Sequence, residues 1–243
     1  MRTKGGIYWK LSLVDRLTMK LLLLVLTLLS FGQASAEEFF WKNAPIPVHI
    51  KQYQPSKIGP YQLLLLVSDR QKGEDPLLSN LALKASKLGY YTLLIRPHPI
   101  AAEAFAPVLK DITNHYRKHN FLFERVMIVT RGVFAQSLNN IWSRDYAKAI
   151  LLQPECSSQL PMWKSLSKMS RTYAPVTIVQ DAFEPRCSSR HSFEFLNSEL
   201  TRHFRLIQFP LEDPDSSSQR LSHSTVQRML LQLLNQFNKP RRL

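Results

Sequence analysis

The chain has 243 residues, 44% of them hydrophobic, which suits one domain with a sizeable core. Its formal net charge is +14; residues 1–36 carry Arg2, Lys4, Lys10, Arg16 and Lys20 against Asp15, a net of +4, and residues 37–243 keep +10. Such a balance favours anionic partners when the charge is clustered and only solubility when it is spread over the surface. No basic-aromatic stacking platform, helix-turn-helix or Cys/His finger spacing is present, so nucleic acid is not an expected partner.

The N-terminus reads as a secretory leader. Met19-Lys20 precedes an apolar run from Leu21 to Phe31. That run falls short of the roughly 20 residues a membrane span needs. Ala34-Ser35-Ala36 then supplies the small-x-small pattern of a signal-peptidase site. Residues 1–36 are expected to be removed, with Met19 a candidate for the true start, leaving 37–243 as a single periplasmic domain without a transmembrane helix.

Beyond the leader, apolar runs alternate with helical patterns. Pro45 to Tyr53 is expected to be an antiparallel edge strand, since its two prolines suit an edge. Strands are expected at 61–67, 90–95, 125–130, 147–153, 175–180 and 204–209. Helices are expected at 76–88, stopped by Gly89, at 102–119 with Pro107 near its start, and at 133–142, 160–171, 190–202 and 222–237. Repeated β-α units imply an α/β three-layer sandwich, a mostly parallel sheet with helices on both faces. Glu212 to Ser218 reads as a surface loop.

Two cysteines follow the expected strands 147–153 and 175–180. Adjacent parallel strands would bring Cys156 and Cys187 to one sheet edge, and an oxidising compartment favours their disulfide; two free thiols are the alternative. His115 and His119 lie four apart on one helix, but no third ligand is near in sequence. Neither a metal nor a cofactor is expected.

Val126 to Ala135 runs from a buried strand through a sharp turn into a helix, the setting of the nucleophile elbow G-x-S-x-G. Here Thr130 stands for the first Gly, Gly132 for the nucleophile and Phe134 for the last Gly. With the order of elements and with Leu88-Gly89-Tyr90-Tyr91-Thr92 at a strand entry, the chain over roughly 61–238 resembles the α/β-hydrolase superfamily. More narrowly, it looks like exported members from Gram-negative bacteria that lack the elbow serine. The resemblance implies the strand order 90–95, 61–67, 125–130, 147–153, 175–180, 204–209. It places remnant triad positions at Gly132, Asp181 and His223. A plain reading also stands, with Asp181 capping a turn and His223 beginning a helix. Where relatives carry a His-Gly oxyanion loop, this chain has Ser68-Asp69-Arg70-Gln71-Lys72-Gly73.

A glycine has no group to attack a carbonyl, so a Ser/His/Asp division of labour lacks its first member. The expected function is a non-catalytic exported protein binding a ligand or envelope partner in the former cleft. Ser68, Arg70, His98 and Arg131 are the cleft candidates, with Lys72, Arg96 and Arg186 adding basic charge. The alternative is an envelope esterase or amidase with a displaced nucleophile. Ser137, one turn past the elbow, reads as a packed or capping serine.

Overall fold

The computed structural model describes residue 20 and residues 36–42, 48–55, 61–70, 73–97, 102–119, 126–135, 146–154, 176–181, 204–209 and 224–238. The chain divides into two compact units, Met1–Gln33 and Ala34–Leu243, and all that follows concerns the second.

Eight strands form one sheet: β1 (Ala36–Trp41), β2 (Val48–Tyr53), β3 (Gln62–Val67), β4 (Tyr90–Pro97), β5 (Val126–Arg131), β6 (Tyr146–Leu152), β7 (Val176–Asp181) and β8 (Phe204–Phe209). Their order across the sheet is β1-β2-β4-β3-β5-β6-β7-β8. From β4 to β8 the pairings are parallel, in the order implied by the sequence resemblance.

The antiparallel end differs from expectation. The strand described within Pro45 to Tyr53 is Val48–Tyr53, and it pairs on both sides, with β1 and with β4. The edge is instead Ala36–Trp41, whose first residue falls inside the segment set aside as leader. Trp41 fixes this edge strand. Its ring is buried, stacks on Tyr116 at 6.3 Å and donates from Nε1 to Asp111 at 3.0 Å. Tyr116 in turn donates to Gln52 of β2 at 3.0 Å.

Continuous apolar strands need cover on both faces, and β3 has it. Leu63, Leu65 and Val67 join Phe105, Leu109, Ile112 and Tyr116 of helix α2 (Ala102–His119) on one face. Leu64 and Leu66 join α1 (Pro76–Lys87) and α3 (Ser224–Asn238) on the other, through Leu78, Leu81, Leu230 and Leu234. Period-two alternation thus divides one strand between two cores. Pro107 lies inside α2, in its second turn. There it removes one backbone donor. Gly89, at φ 97°, lets the chain leave α1 and enter β4 at Tyr90. Tyr90 then donates its hydroxyl to the Leu234 carbonyl at 2.8 Å. Among the described residues no helix is long and apolar enough to cross a membrane.

The expected helix 133–142 is described only as a 3-10 turn, Gly132–Ala135. The helices expected at 160–171 and 190–202, and the loop 212–218, lie outside the described residues.

Candidate functional site

Open parallel sheets bind ligands beyond the carboxyl ends of their strands. At that end, β5 finishes on a buried cation: Arg131 is 6% exposed. The guanidinium is held because the loop after β3 brings two carboxylates to it. Asp75 is the N-cap of α1, followed by Pro76 at the first helical position, a start pattern that the sequence spells out. One carboxylate oxygen accepts from the Leu77 and Leu78 amides, at 3.1 and 3.2 Å. The other accepts from Arg131 Nη1 at 2.9 Å and from the Ser68 hydroxyl at 3.1 Å. Asp75 and Ser68 are fully buried. The same carboxylate thus ends a helix, locks a loop and neutralises a buried guanidinium.

The second carboxylate is Asp69. Its Oδ1 lies 3.7 Å from Arg131 Nε, an ion-pair distance too long for a direct hydrogen bond. Its side chain is 18% exposed. Above all, it lies against Gly132. A Cβ added there would fall 2.8 Å from Asp69 Cγ and 3.1 Å from Asp69 Cβ, with the Oδ2 oxygen closer still. Gly132 has φ 59°, the left-handed region that favours glycine. A left-handed turn therefore follows β5 at Gly132, and a neighbouring carboxylate fills the space that a side chain there would enter.

The other sequence candidates fare unevenly. Ser68 reaches the loop, but its hydroxyl is committed, donating to Asp75 and accepting from the Arg70 amide at 3.2 Å. Arg70 turns to its own loop, Nη1 donating to the Glu74 carbonyl at 3.4 Å. Arg96 is drawn to His49 instead: Nη2 sits 2.7 Å from Nδ1, while His49 Nε2 faces Glu38 at 3.4 Å. A neutral ring carrying its proton on Nε2 satisfies both contacts. Burial, then the positive charge of Arg96, holds the His49 pKa below its ordinary value. Asp181 ends β7, at the carboxyl edge. The positions of His98, His223, Lys72, Arg186, Ser137 and both cysteines, Cys156 and Cys187, lie outside the described residues, so the proximity expected of Asp181 and His223 and the disulfide are not addressed. His115 packs edge-on against Trp41 at 4.9 Å, and no cluster of metal-ligating side chains occurs among the described residues.

Four residues escaped the sequence reading. Asp69 and Asp75 act on a strand far along the chain, and only the Asp75-Pro76 capping pattern marked either. Gln153, just beyond β6, has φ 41° and a buried side-chain oxygen with no partner among the described residues. Lys148 on β6 is 4% exposed, and its burial, with Arg205 adding, brings its pKa down to about 8.

No family model matches the chain, and no curated protein does. Solved structures do. Est1E from Butyrivibrio proteoclasticus aligns with a TM-score of 0.67 at 12% identity, covering 84% of this chain and 100% of that one. An α/β serine hydrolase homologue from Coxiella burnetii gives 0.64 at 13% identity, over 82% and 97%. The apo form of Thermogutta terrifontis esterase 2 gives 0.63 at 11% identity, over 85% and 97%. At such identities the likeness is one of architecture: this chain has the α/β-hydrolase fold.

Proposed function

We propose that the protein is an exported α/β-hydrolase-fold protein without serine-hydrolase activity, and that it binds a ligand or an envelope partner through the former active-site cleft. The observation that carries this reading is the Asp69 carboxylate lying in the space of the missing side chain at Gly132. Acyl transfer needs a nucleophile at the elbow and donors aimed at a developing oxyanion. Here a glycine and a negative charge meet at that point, and both features oppose the reaction. Export to the periplasm rests on the leader pattern. The first described strand begins at Ala36, where that pattern ends, so cleavage after Ala36 leaves β1 all but complete. In that compartment Cys156 and Cys187 form the disulfide.

The second reading, an envelope esterase or amidase with a displaced nucleophile, draws on the neighbours, several of which are described as esterases. A fluorophosphonate probe and a short acyl ester separate the two. The binding reading expects no labelling and no turnover above buffer. Turnover that disappears in His223→Ala would establish the second reading instead. Mass spectrometry of the exported protein is expected to give an N-terminus at Glu37 and a mass two hydrogen atoms below that of the reduced chain.

A further inference from the structure

Arg131 offers more donors than its contacts with the described residues use. A guanidinium offers five N–H donors in a fixed fork. Among the described residues only one direct hydrogen bond uses them, from Nη1 to Asp75 at 2.9 Å. The two carboxylates around it are not equivalent. Asp75 is fully buried and holds three further hydrogen bonds, so it is a fixed part of the fold. Asp69 is partly exposed, approaches Nε only to 3.7 Å, and lies over Gly132, where no side chain holds it. Moving Asp69 aside would uncover the Nε edge of a buried guanidinium at the carboxyl end of β5. That edge matches a carboxylate, which it takes as two parallel N–H···O bonds.

We propose that Arg131 is a carboxylate-binding site and that Asp69 is its displaceable internal occupant. The proposal rests on the reading of the cleft as a binding site and gives its ligand a chemical class: a molecule ending in a carboxylate. The exchange conserves charge. One carboxylate leaves the guanidinium for solvent and another takes its place, so the buried cation is never left with Asp75 alone. A neutral ligand offers no such compensation. Affinity in the wild type is the difference between a two-bond contact and the loose Asp69 contact, and it is therefore modest. Gln153, just beyond β6, the strand next to β5, stands at the same sheet edge with its side-chain oxygen unpartnered among the described residues. It is a candidate acceptor for a donor on the same ligand.

The test is an acetate titration of the purified protein at constant ionic strength, followed by amide chemical shifts and by the thermal midpoint. Wild type, Asp69→Ala and Asp69→Asn are compared; the asparagine variant keeps the shape if the alanine variant folds poorly. Removing the internal carboxylate is expected to tighten acetate binding about tenfold or more, the scale of one charge-assisted hydrogen bond. Adding Arg131→Lys to Asp69→Asn keeps the charge but removes the fork, and should abolish that gain. Acetate binding no tighter in either Asp69 variant than in wild type overturns the proposal. So does a gain that survives Arg131→Lys, or one matched by chloride. Fluorophosphonate labelling run in parallel separates the two levels. Labelled wild type refutes the binding reading itself, whereas unlabelled protein without an acetate gain refutes only the carboxylate site.

Discussion

A single methyl group tests the elbow geometry. Gly132→Ala places a Cβ on a residue at φ 59°, which costs an L-residue about 1–2 kcal/mol. The new atom also meets Asp69 at 2.8 Å from Cγ and 3.1 Å from Cβ, so the carboxylate must leave. Its ion pair with Arg131 is loose and partly solvated, and losing it costs about 1 kcal/mol. The total is about 2–3 kcal/mol, a large share of the stability of a domain of this size. In an Asp69→Ala background the carboxylate is gone and only the 3.1 Å contact with the remaining Cβ is left, so the loss falls to little more than the backbone cost of about 1–2 kcal/mol. A double-mutant cycle by urea denaturation at pH 7 should therefore return a coupling of about 1 kcal/mol between positions 69 and 132. Equal losses in the two backgrounds, within about 0.3 kcal/mol, would mean that Asp69 does not fill the elbow, and the case for a blocked nucleophile position would fall with it.

Three further outcomes are expected. Asp75→Ala removes a helix cap and leaves Arg131 without its fixed partner, a loss of about 3–5 kcal/mol in urea melts, with Asp75→Asn keeping the cap and losing less. Lys148→Met is expected to stabilise the domain by about 2–3 kcal/mol at pH 7, from a pKa brought down to about 8 against 10.5. The folded state binds fewer protons than the unfolded chain between these values, so wild-type stability should rise with pH across that window and the variant should lose the slope. His49, held below its ordinary pKa with Arg96, Lys51, Glu38 and Phe40 around it, works in the same direction at lower pH. The neutral ring is the folded form, so its support is intact above pH 6.5 and is lost as pH falls below that value. Amide exchange in β1 and β2 should quicken on acidification and become less pH-sensitive in His49→Gln.

The parallel core was legible because each of its strands is a short apolar run followed by a polar break. Leu63 to Val67 needs no partner information to be recognised as doubly covered. The antiparallel end was less legible for identifiable reasons. Ala36–Trp41 mixes two glutamates with a buried Trp41 and an exposed Phe40, so neither face reads as apolar, and it adjoins the segment that reads as a leader. Pro45 and Pro47 suggested an edge, but Val48–Tyr53 contains no proline and its donors pair on both sides. In the site, a turn at Gly132 followed from local pattern alone. The ion cluster did not: Arg131 and Asp75 are 56 positions apart. A loop read only for its missing His-Gly gave no reason to single out Asp69.

That cluster changes what the elbow presents. In an active hydrolase the strand-to-helix turn projects a hydroxyl toward donors that stabilise a growing negative charge. Here the same turn, with a glycine in the left-handed conformation, makes room for a carboxylate that approaches the preceding arginine. On the proposed reading, serine at position 132 would supply a nucleophile's atom but not its surroundings. It would collide with Asp69, and even after Asp69→Gly the loop Ser68 to Gly73 carries no His-Gly pair to hold an oxyanion. Activity should therefore stay at buffer level in Gly132→Ser and in Gly132→Ser with Asp69→Gly, measured with a short acyl ester. Turnover in the double variant, absent from Asp69→Gly alone, would show that one carboxylate was all that separated this cleft from catalysis. It would also recast Asp69 as a block on chemistry rather than the guard of a binding cation.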